Sequence, residues 1–432
     1  MRKKSSLRPN RNFISILRML DIKFIRQHPD IVKQAAKNKR VEVDIDAILV
    51  LDEKRRKVQG EIDELNHKKK EFAQTRDVEG GKKLKEESAN LENELRITND
   101  ELRNALYQVP NIPTDDTPVG SDESGNQIIK EWGTKPEFDF KPKPHWELGK
   151  ALDVIDNERA ANVSGARFTY LKGDLALMEY ALVNFALSVI VKKGFTPIVP
   201  PIFIKPEVFE KMARLEPKEE RYHIPSDDLY LIGSAEHTLG PLHMDEIIPE
   251  KNLPIRYVAF SPALRREAGA AGKDTRGILR LHQFHKIEME VFSTAEQGMQ
   301  EHLNLIAIEE ELLQALNLSY QVILKCTGDI GGPNARGVDI NTWMPGQDRF
   351  VETHTADCMT DYQARRLNTK VRRANGSTEF IHMNDATALA IGRTIVAIME
   401  NYQTKEGTIK IPEVLKPWMM GCTEILPGSS TR

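Results

Sequence analysis

The stretch from Leu264 to Glu290 concentrates the residues of this sequence best suited to chemistry. It carries five cations, Arg265, Arg266, Lys273, Arg276 and Arg280. Two acids, Glu267 and Glu288, fall inside its strand-like flanks, and Gly269, Gly272 and Gly277 loosen its middle. Arginine presents several donors in a fixed fork to phosphate oxygens, so cations on a Gly-rich loop suit a polyphosphate. An acid inside a strand needs a partner, and a bound amine or hydroxyl is one such partner. A solvated basic hairpin fits the same charges. Glu288 also fits an internal salt bridge with Lys286 or Arg280, Phe284 a place in the core, and Glu352 a strand edge. The sequence contains neither GxxxxGK[ST] nor a strand-linked GxGxxG, so any use of ATP does not run through a P-loop.

Strands and helices must hold these residues. Val258, Phe260 and Leu264 lead in, Leu279 and Leu281 alternate with polar residues, and Phe284, Ile287 and Met289 continue outward. Strand-like runs fall at 229–232, 255–260, 279–292, 320–325, 337–343 and 349–353. Leu175, Met178, Leu182, Phe185 and Val189 mark one face of a helix over 175–190, and a long helix is expected from about Thr387 to Asn401. Strands with segregated helices and few βαβ alternations predict an antiparallel sheet, hence an α+β fold. The segment from Gly194 to Pro201 reads as a turn into an extended edge, because its prolines deny it ladder donors. Such an edge suits a boundary, including a subunit boundary.

Upstream, Ile48, Leu51, Val58, Ile62, Leu65 and Phe72 follow a 3-4 alternation, with Arg55 and Lys69 at its two remaining positions. The pattern resumes at Leu84, Leu91, Leu95, Leu102 and Ala105 after Val78-Glu79-Gly80-Gly81, which reads as a turn. The prediction is an antiparallel coiled-coil arm with limbs on the order of 40 Å, from ~1.5 Å of rise per residue. Clusters at 54–57, 68–70 and 82–85 give it cations. These suit a solvated coil or a face for a nucleic-acid backbone. Prolines at 110, 113, 118, 136, 142 and 144 mark 109–145 as a linker, dividing 19–108 from 146–432. Residues 1–18 form a basic extension: a disordered tail, a start codon placed before Met19, or a targeting segment.

The 432 residues are too many for one ordinary core. A net charge of −3 gives no molecule-wide field for nucleic acid, so such a site must be local. Cys326, Cys358 and Cys422 lie far apart and in no metal-ligand spacing, which fits a reducing cytoplasm. No uninterrupted apolar run reaches the ~18 residues of a membrane span, so no membrane partner is expected.

In Arg265-x-Glu267, the loop around Arg276, and Phe284, the opening stretch resembles motif 2 of class II aminoacyl-tRNA synthetases. Ala388 to Thr394 resembles motif 3, and Gly194 to Pro200 motif 1. The resemblance to the seryl-tRNA synthetase family, bacterial type, runs from Met19 through essentially the whole chain. It includes Ser234-Ala235-Glu236, Ala268 to Gly277, Asp361 to Arg366 and Pro412 to Pro417. It implies a class II antiparallel sheet with flanking helices, a tRNA-binding arm over 19–108 and a catalytic domain over 146–432. The implied reaction activates L-serine with ATP and Mg²⁺ and charges serine tRNA in a homodimer. Use of selenocysteine tRNA stays open. The implied ATP residues are Arg265, Arg266, Glu267, Leu281, Phe284, Glu352, Thr353, His354, Thr355 and Arg393. Glu352 would hold the metal. Arg265, Arg276 and Arg393 would act in catalysis. Ser234, Ala235, Glu236, Arg265, Glu288 and Thr387 would bind serine, Glu288 and Thr387 reading its hydroxyl. Arg365 and Arg366 read as structural ion-pair partners.

The sequence departs from the family pattern in five places. Ser234 replaces a threonine, Asn341 stands for a glutamate, His285 for an acid, and, with no gap allowed, Asp385 for an asparagine, while Asn384 sits one position early. Thr353-His354-Thr355 replaces Ile-Ser-Ser. Two other activities remain to be weighed: a ligase that loads a small amino acid onto a carrier protein, and a coiled-coil interaction protein with an inactive catalytic domain. The basic arm argues against the first. Arg265, Glu267, Glu288, Glu352 and Arg393 argue against the second.

Overall fold

The computed structural model describes residues 21–75, 78–269, 274 and 276–428, with side chains of 70–83 outside the described set. The basic extension, Met19 and most of the Gly-rich loop tip therefore lie outside the described residues. The chain divides into two compact units at Pro113/Thr114.

The first unit opens with α1 (Ile22–Gln27), whose first turn is capped by the Asp21 carboxylate accepting from the Lys23 N–H at 2.9 Å. Helix α2 (Pro29–Asn38) begins on a proline, which has no N–H to leave unpaired there. Two 31-residue helices follow, α3 (Ile45–Thr75) and α4 (Val78–Gln108). Phe24, Ile25, Val32, Ile45, Ile48, Leu102 and Val109 form one core at their base. Farther along, Val58, Ile62 and Leu65 are buried, as are the polar seam residues Ser88 and Thr98. The predicted seam thus pairs two helices. Val78 to Gly81, expected as the turn, is helical. The penalty of about 1 kcal/mol per helical glycine yields here to the pairing of the two limbs. Part of the predicted basic face is already spent: Arg26, Arg55 and Arg56 all pair with the fully buried Asp52, at 2.9, 3.0 and 3.2 Å.

The second unit is built on an eight-stranded sheet. Its strands are β1 (Gln127–Trp132), β2 (Thr196–Ile198), β3 (Ile255–Leu264), β4 (Gln283–Ser293), β5 (Tyr320–Leu324), β6 (Arg336–Met344), β7 (Arg349–Thr360) and β8 (His382–Ala390). They lie in the order β1-β5-β6-β7-β8-β4-β3-β2. Every pairing is antiparallel except β2 with β3. Helices α6 (Gly173–Ile190), α7 (Gly298–Ala315) and α8 (Ile391–Asn401) share one apolar core with the sheet. A shorter helix, α5 (His145–Ala151), precedes them. With the three-residue turn after it, α6 is long and apolar enough to cross a membrane. Here Leu175, Met178, Leu182 and Phe185 are buried in that core instead.

Three expectations change. Residues 127–132, inside the expected linker, form edge strand β1, paired with β5. The predicted strand 279–292 begins only at Gln283, because residues just before it bond outside the ladder. The Arg265 N–H donates to the His282 carbonyl, and the His282 N–H to that of Arg167. The long helix begins at Ile391 rather than Thr387. Residues 387–390 are Ala-rich and read as helix by propensity. They are nevertheless the end of β8, paired with β4, where strand pairing overrides propensity.

Candidate active site

Strand alternation builds the site. Along β4, Ile287, Met289 and Val291 enter the apolar core, which places Lys286, Glu288 and Glu290 on the opposite face, all buried. Across the ladder, Thr387 of β8 faces Glu288 in register. Its hydroxyl donates to Glu288 Oε1 at 3.0 Å. Lys286 Nζ lies 2.8 Å from Glu288 Oε2 and donates to Ser234 Oγ at 3.1 Å. Ser234 in turn donates to Glu236 Oε2 at 3.3 Å. Glu236, Ser234, Lys286, Glu288 and Thr387 therefore form one buried polar chain. Both readings of Glu288 meet in it: the carboxylate has an internal cation and also the predicted threonine.

Beside this chain opens a cleft of about 690 Å³. Arg265, Glu267, Leu281, Phe284, Glu352, Thr353, His354, Thr355 and Arg393, the residues expected at the nucleotide end apart from Arg266, line it together with Thr387, expected at the serine end. The Arg265 guanidinium carbon stands 5.4 Å from the Phe284 ring centroid, and its Nε donates to the Gly233 carbonyl at 3.0 Å. Arg393 donates to Glu352 Oε1 at 3.0 Å and to the Glu352 carbonyl at 2.9 Å. Glu267 holds a left-handed backbone, φ 52°, and its carboxylate accepts from Arg280 at 2.6 Å. Thr353 and His354 are tied into the sheet, Thr353 Oγ1 to Thr342 Oγ1 at 2.7 Å and His354 Nδ1 to Thr353 Oγ1 at 2.8 Å.

Six predicted residues stand outside the cleft lining. Arg276 packs on Trp146, 4.3 Å from its ring centroid, and the exposed Arg266 donates its N–H to the Glu220 carbonyl. Ser234, Ala235, Glu236 and Glu288 are buried behind the lining. Arg365 pairs with Asp361 at 2.6 Å, as a structural ion pair should. His285 turns away to Glu179 of α6, at 2.5 Å.

Charge is strongly organised. Burial works against ionising Glu236, but Arg214, His237, Lys286 and Arg265 outweigh it and hold its carboxyl well below the usual range. Burial wins at Glu288, whose carboxyl is pushed up despite Lys286. Burial drives the His354 ring down to about 3, so it stands neutral. Glu352 is lowered: Arg393, Lys325, Arg265 and Lys286 overcome its desolvation. Asp339 is pushed up to about 7 by burial and the charge of Glu352, against Lys325.

Lys286 and Arg280 entered the sequence reading as candidate ion-pair partners of Glu288, Arg280 also as one cation among five; Lys286 takes that place, whereas Arg280 pairs with Glu267. Arg214 escaped it altogether: it lies in an unpatterned loop, yet reaches Glu236, Asp357 and Asp385.

The arrangement offers a cationic cleft with an aromatic wall, ending at a buried polar pocket for a small polar group. Known proteins resemble the chain along most of its length. Residues 220–402 match the model of the tRNA synthetase class II core domain (G, H, P, S and T), and residues 19–113 match the seryl-tRNA synthetase N-terminal domain. A serine–tRNA ligase of Symbiobacterium thermophilum is 42% identical over 93% of this chain and 98% of its own. The crystal structure of seryl-tRNA synthetase from Pyrococcus horikoshii complexed with ATP superposes with a TM-score of 0.89. It is 38% identical and covers 95% of this chain and 100% of that one. The cytoplasmic serine–tRNA ligase from Naegleria fowleri in complex with AMP gives 0.88 and 32%, over 95% and 99%.

Proposed function

Because the chain belongs to the seryl-tRNA synthetase family, we propose that its cleft joins ATP and serine into an adenylate and that its Ser234–Thr387 chain reads the amino acid. The reaction is activation of serine followed by charging of tRNA. In the first step a serine carboxylate oxygen bonds to the α-phosphorus of ATP, and the bond to pyrophosphate breaks. Both partners are negative, so the barrier is largely one of charge and alignment. Arg265, at the junction of cleft and pocket, grips the carboxylate and the α-phosphate together. The adenine ring lies between Phe284 and Arg393. Glu267, fixed by Arg280, accepts from the adenine amino group.

Serine is recognised by its polar atoms. Glu288 and Thr387 hold the hydroxyl, and Glu236 and Ser234 the ammonium group. A pocket with buried hydroxyl partners discriminates strongly against an analogue lacking the hydroxyl, because those partners would be left unpaired. The buried chain from Glu236 to Thr387, at the end of the cationic cleft, is the observation that supports this assignment.

The donor set fits Mg²⁺ as the family uses it. No cluster of three His, Cys, Asp or Glu stands ready to hold a metal among the described residues. Mg²⁺ is commonly held by one or two carboxylates plus substrate phosphates, so no larger cluster is needed. Glu352 is a carboxylate lining the cleft beside Thr355, the other, Glu267, being held by Arg280, and the buried Asp339 Oδ1 lacks a hydrogen-bond partner. When bound, the metal supplies positive charge to the triphosphate.

The α3–α4 arm engages serine tRNA through its exposed lysines, while Arg276 shifts with its loop toward the acceptor end. Charging of selenocysteine tRNA belongs to the same reading, since the arm grips backbone. Homodimerisation is favoured at β2: no strand pairs with its outer edge among the described residues, and Val199 beside it is 95% exposed. Sedimentation equilibrium tests that point, and a monomer would reject it. A cytoplasmic setting is supported by three free cysteines. Serine-dependent exchange of pyrophosphate into ATP, then charging of serine tRNA, tests the whole. Exchange with no amino acid, or with serine but no charging, would sink it.

A further inference from the structure

Three acids lie side by side across the sheet: Glu290 of β4 pairs with Asp385 of β8, which pairs with Asp357 of β7. Like charges directly opposite across strands repel, and this row is buried. It sits two residues along β8 from Thr387, on the same face as the serine pocket. A single guanidinium meets it. Arg214 Nη2 lies 3.4 Å from Asp385 Oδ2 and 3.7 Å from Asp357 Oδ2, while its Nε lies 3.3 Å from Glu236 Oε1. Its side chain is only 16% exposed. Its own loop is anchored, since Arg221 Nε donates to the Arg214 carbonyl at 3.0 Å.

Resting on the assignment of the serine pocket, we propose that Arg214 is its positioning and specificity residue: one planar fork that neutralises the acid row and fixes the Glu236 carboxylate for the serine ammonium group. Among the described residues, no side chain donates a hydrogen bond to either carboxylate oxygen of Glu290, and Arg214 is the cation whose charge acts on it. Burial and the charge of Glu236 hold Asp385 well above its ordinary range, Arg214 opposing them. Take Arg214 away, and Glu236 becomes a fourth acid in that space with its strongest attracting charge gone. Asp385 stands where the family pattern has an amide. That substitution adds an acid to the row and makes the arginine necessary. Lysine carries its charge on a single nitrogen, without the planar fork that spreads Arg214 from Glu236 to the two aspartates.

The test is amino-acid-dependent pyrophosphate exchange on the full chain. Arg214→Ala should raise the KM for serine about thirtyfold and leave the KM for ATP within about twofold, a split that a general loss of structure does not produce. Arg214→Lys should raise it about fivefold. Arg214→Ala with Asp385→Asn should recover about tenfold over the single variant, because the two side chains act on each other. Serine and ATP constants moving together, or a double variant no better than Arg214→Ala, would overturn the proposal. Should Arg214→Ala not fold, Arg214→Lys carries the test, and an unchanged serine KM there overturns it. Glu288→Gln separates the two levels. If it leaves the serine KM unchanged, the pocket assignment itself fails. If it raises that KM while Arg214→Ala does not, only the role of Arg214 fails.

Discussion

Glu400 is fully buried near the end of α8, and its carboxylate gathers four donors. Oε1 accepts from the His145 N–H at 3.0 Å, His145 Nδ1 at 3.1 Å and Gln347 Nε2 at 2.9 Å, while Oε2 accepts from the Gly346 N–H at 3.0 Å. His145 Nε2 accepts from the Ile278 N–H at 3.1 Å, so the ring proton sits on Nδ1. The glutamate thus supports Ile278, which lines the cleft, through one imidazole. In Glu400→Gln the amide keeps three donors on its carbonyl oxygen and turns its NH₂ toward the Gly346 N–H. One buried N–H is then left unsatisfied, and three charge-assisted bonds become neutral. The expected loss is about 1–3 kcal/mol, or on the order of 2–6 °C in Tm for a unit of this size. Denaturant unfolding and a melting scan measure it. Exchange assays should show the KM for ATP rising about threefold or more, as the wall carrying Ile278 loosens. A loss of less than about 0.5 kcal/mol would refute the idea that this carboxylate is a structural hub. So would full destabilisation with no change in ATP binding refute the link to the cleft.

Arg265→Ala should lower pyrophosphate exchange by about 10²–10³-fold while the far-UV circular dichroism and Tm stay near wild type, since among the described residues its side chain hydrogen-bonds only the Gly233 carbonyl. Near-normal exchange would remove it from the chemistry. Excising 58–90 through a short link keeps the basal core of Phe24, Ile25, Ile48 and Leu102. It should leave serine activation within about twofold while cutting charging of tRNA by about tenfold or more. Full charging by the shortened protein would reject the arm as the tRNA reader. Asp339 sets a pH dependence. Burial pushes its folded pKa up to about 7, above the ordinary 3.8 of an aspartate, so between those values the folded state holds the extra proton. Its contribution to stability therefore falls as pH rises through that window, by at most about 1.4 kcal/mol per pH unit. Asp339→Asn should flatten the decline; an unchanged profile in urea titrations from pH 4 to 8 would contradict this.

Much of the site was legible because its residues lie on short, regular pieces of chain. Arg265, Glu267, Phe284 and Glu288 fall within one hairpin: strand alternation decides the face of Phe284 and Glu288 on β4, whereas Glu267, expected inside a strand, lies past the end of β3 with a left-handed backbone; the 3-4 pattern of α3 and α4 carried the coiled coil. Thr387 was legible as a partner of Glu288, but its strand was read as helix, since Ala-rich propensity says nothing of a neighbouring strand competing for the backbone.

By itself the sequence determined the class of fold, the cationic hairpin and the residues facing each way along β4, because periodicity of two and of three to four is written locally. Only the tertiary structure decided which acids are ionised and which cations are free. Arg214 in a patternless loop, Lys286 beneath Ser234, Arg280 on Glu267 and Arg276 on Trp146 are pairings made across long chain separations. Charge and burial depend on what arrives in space, and contacts across such separations leave no period along the chain.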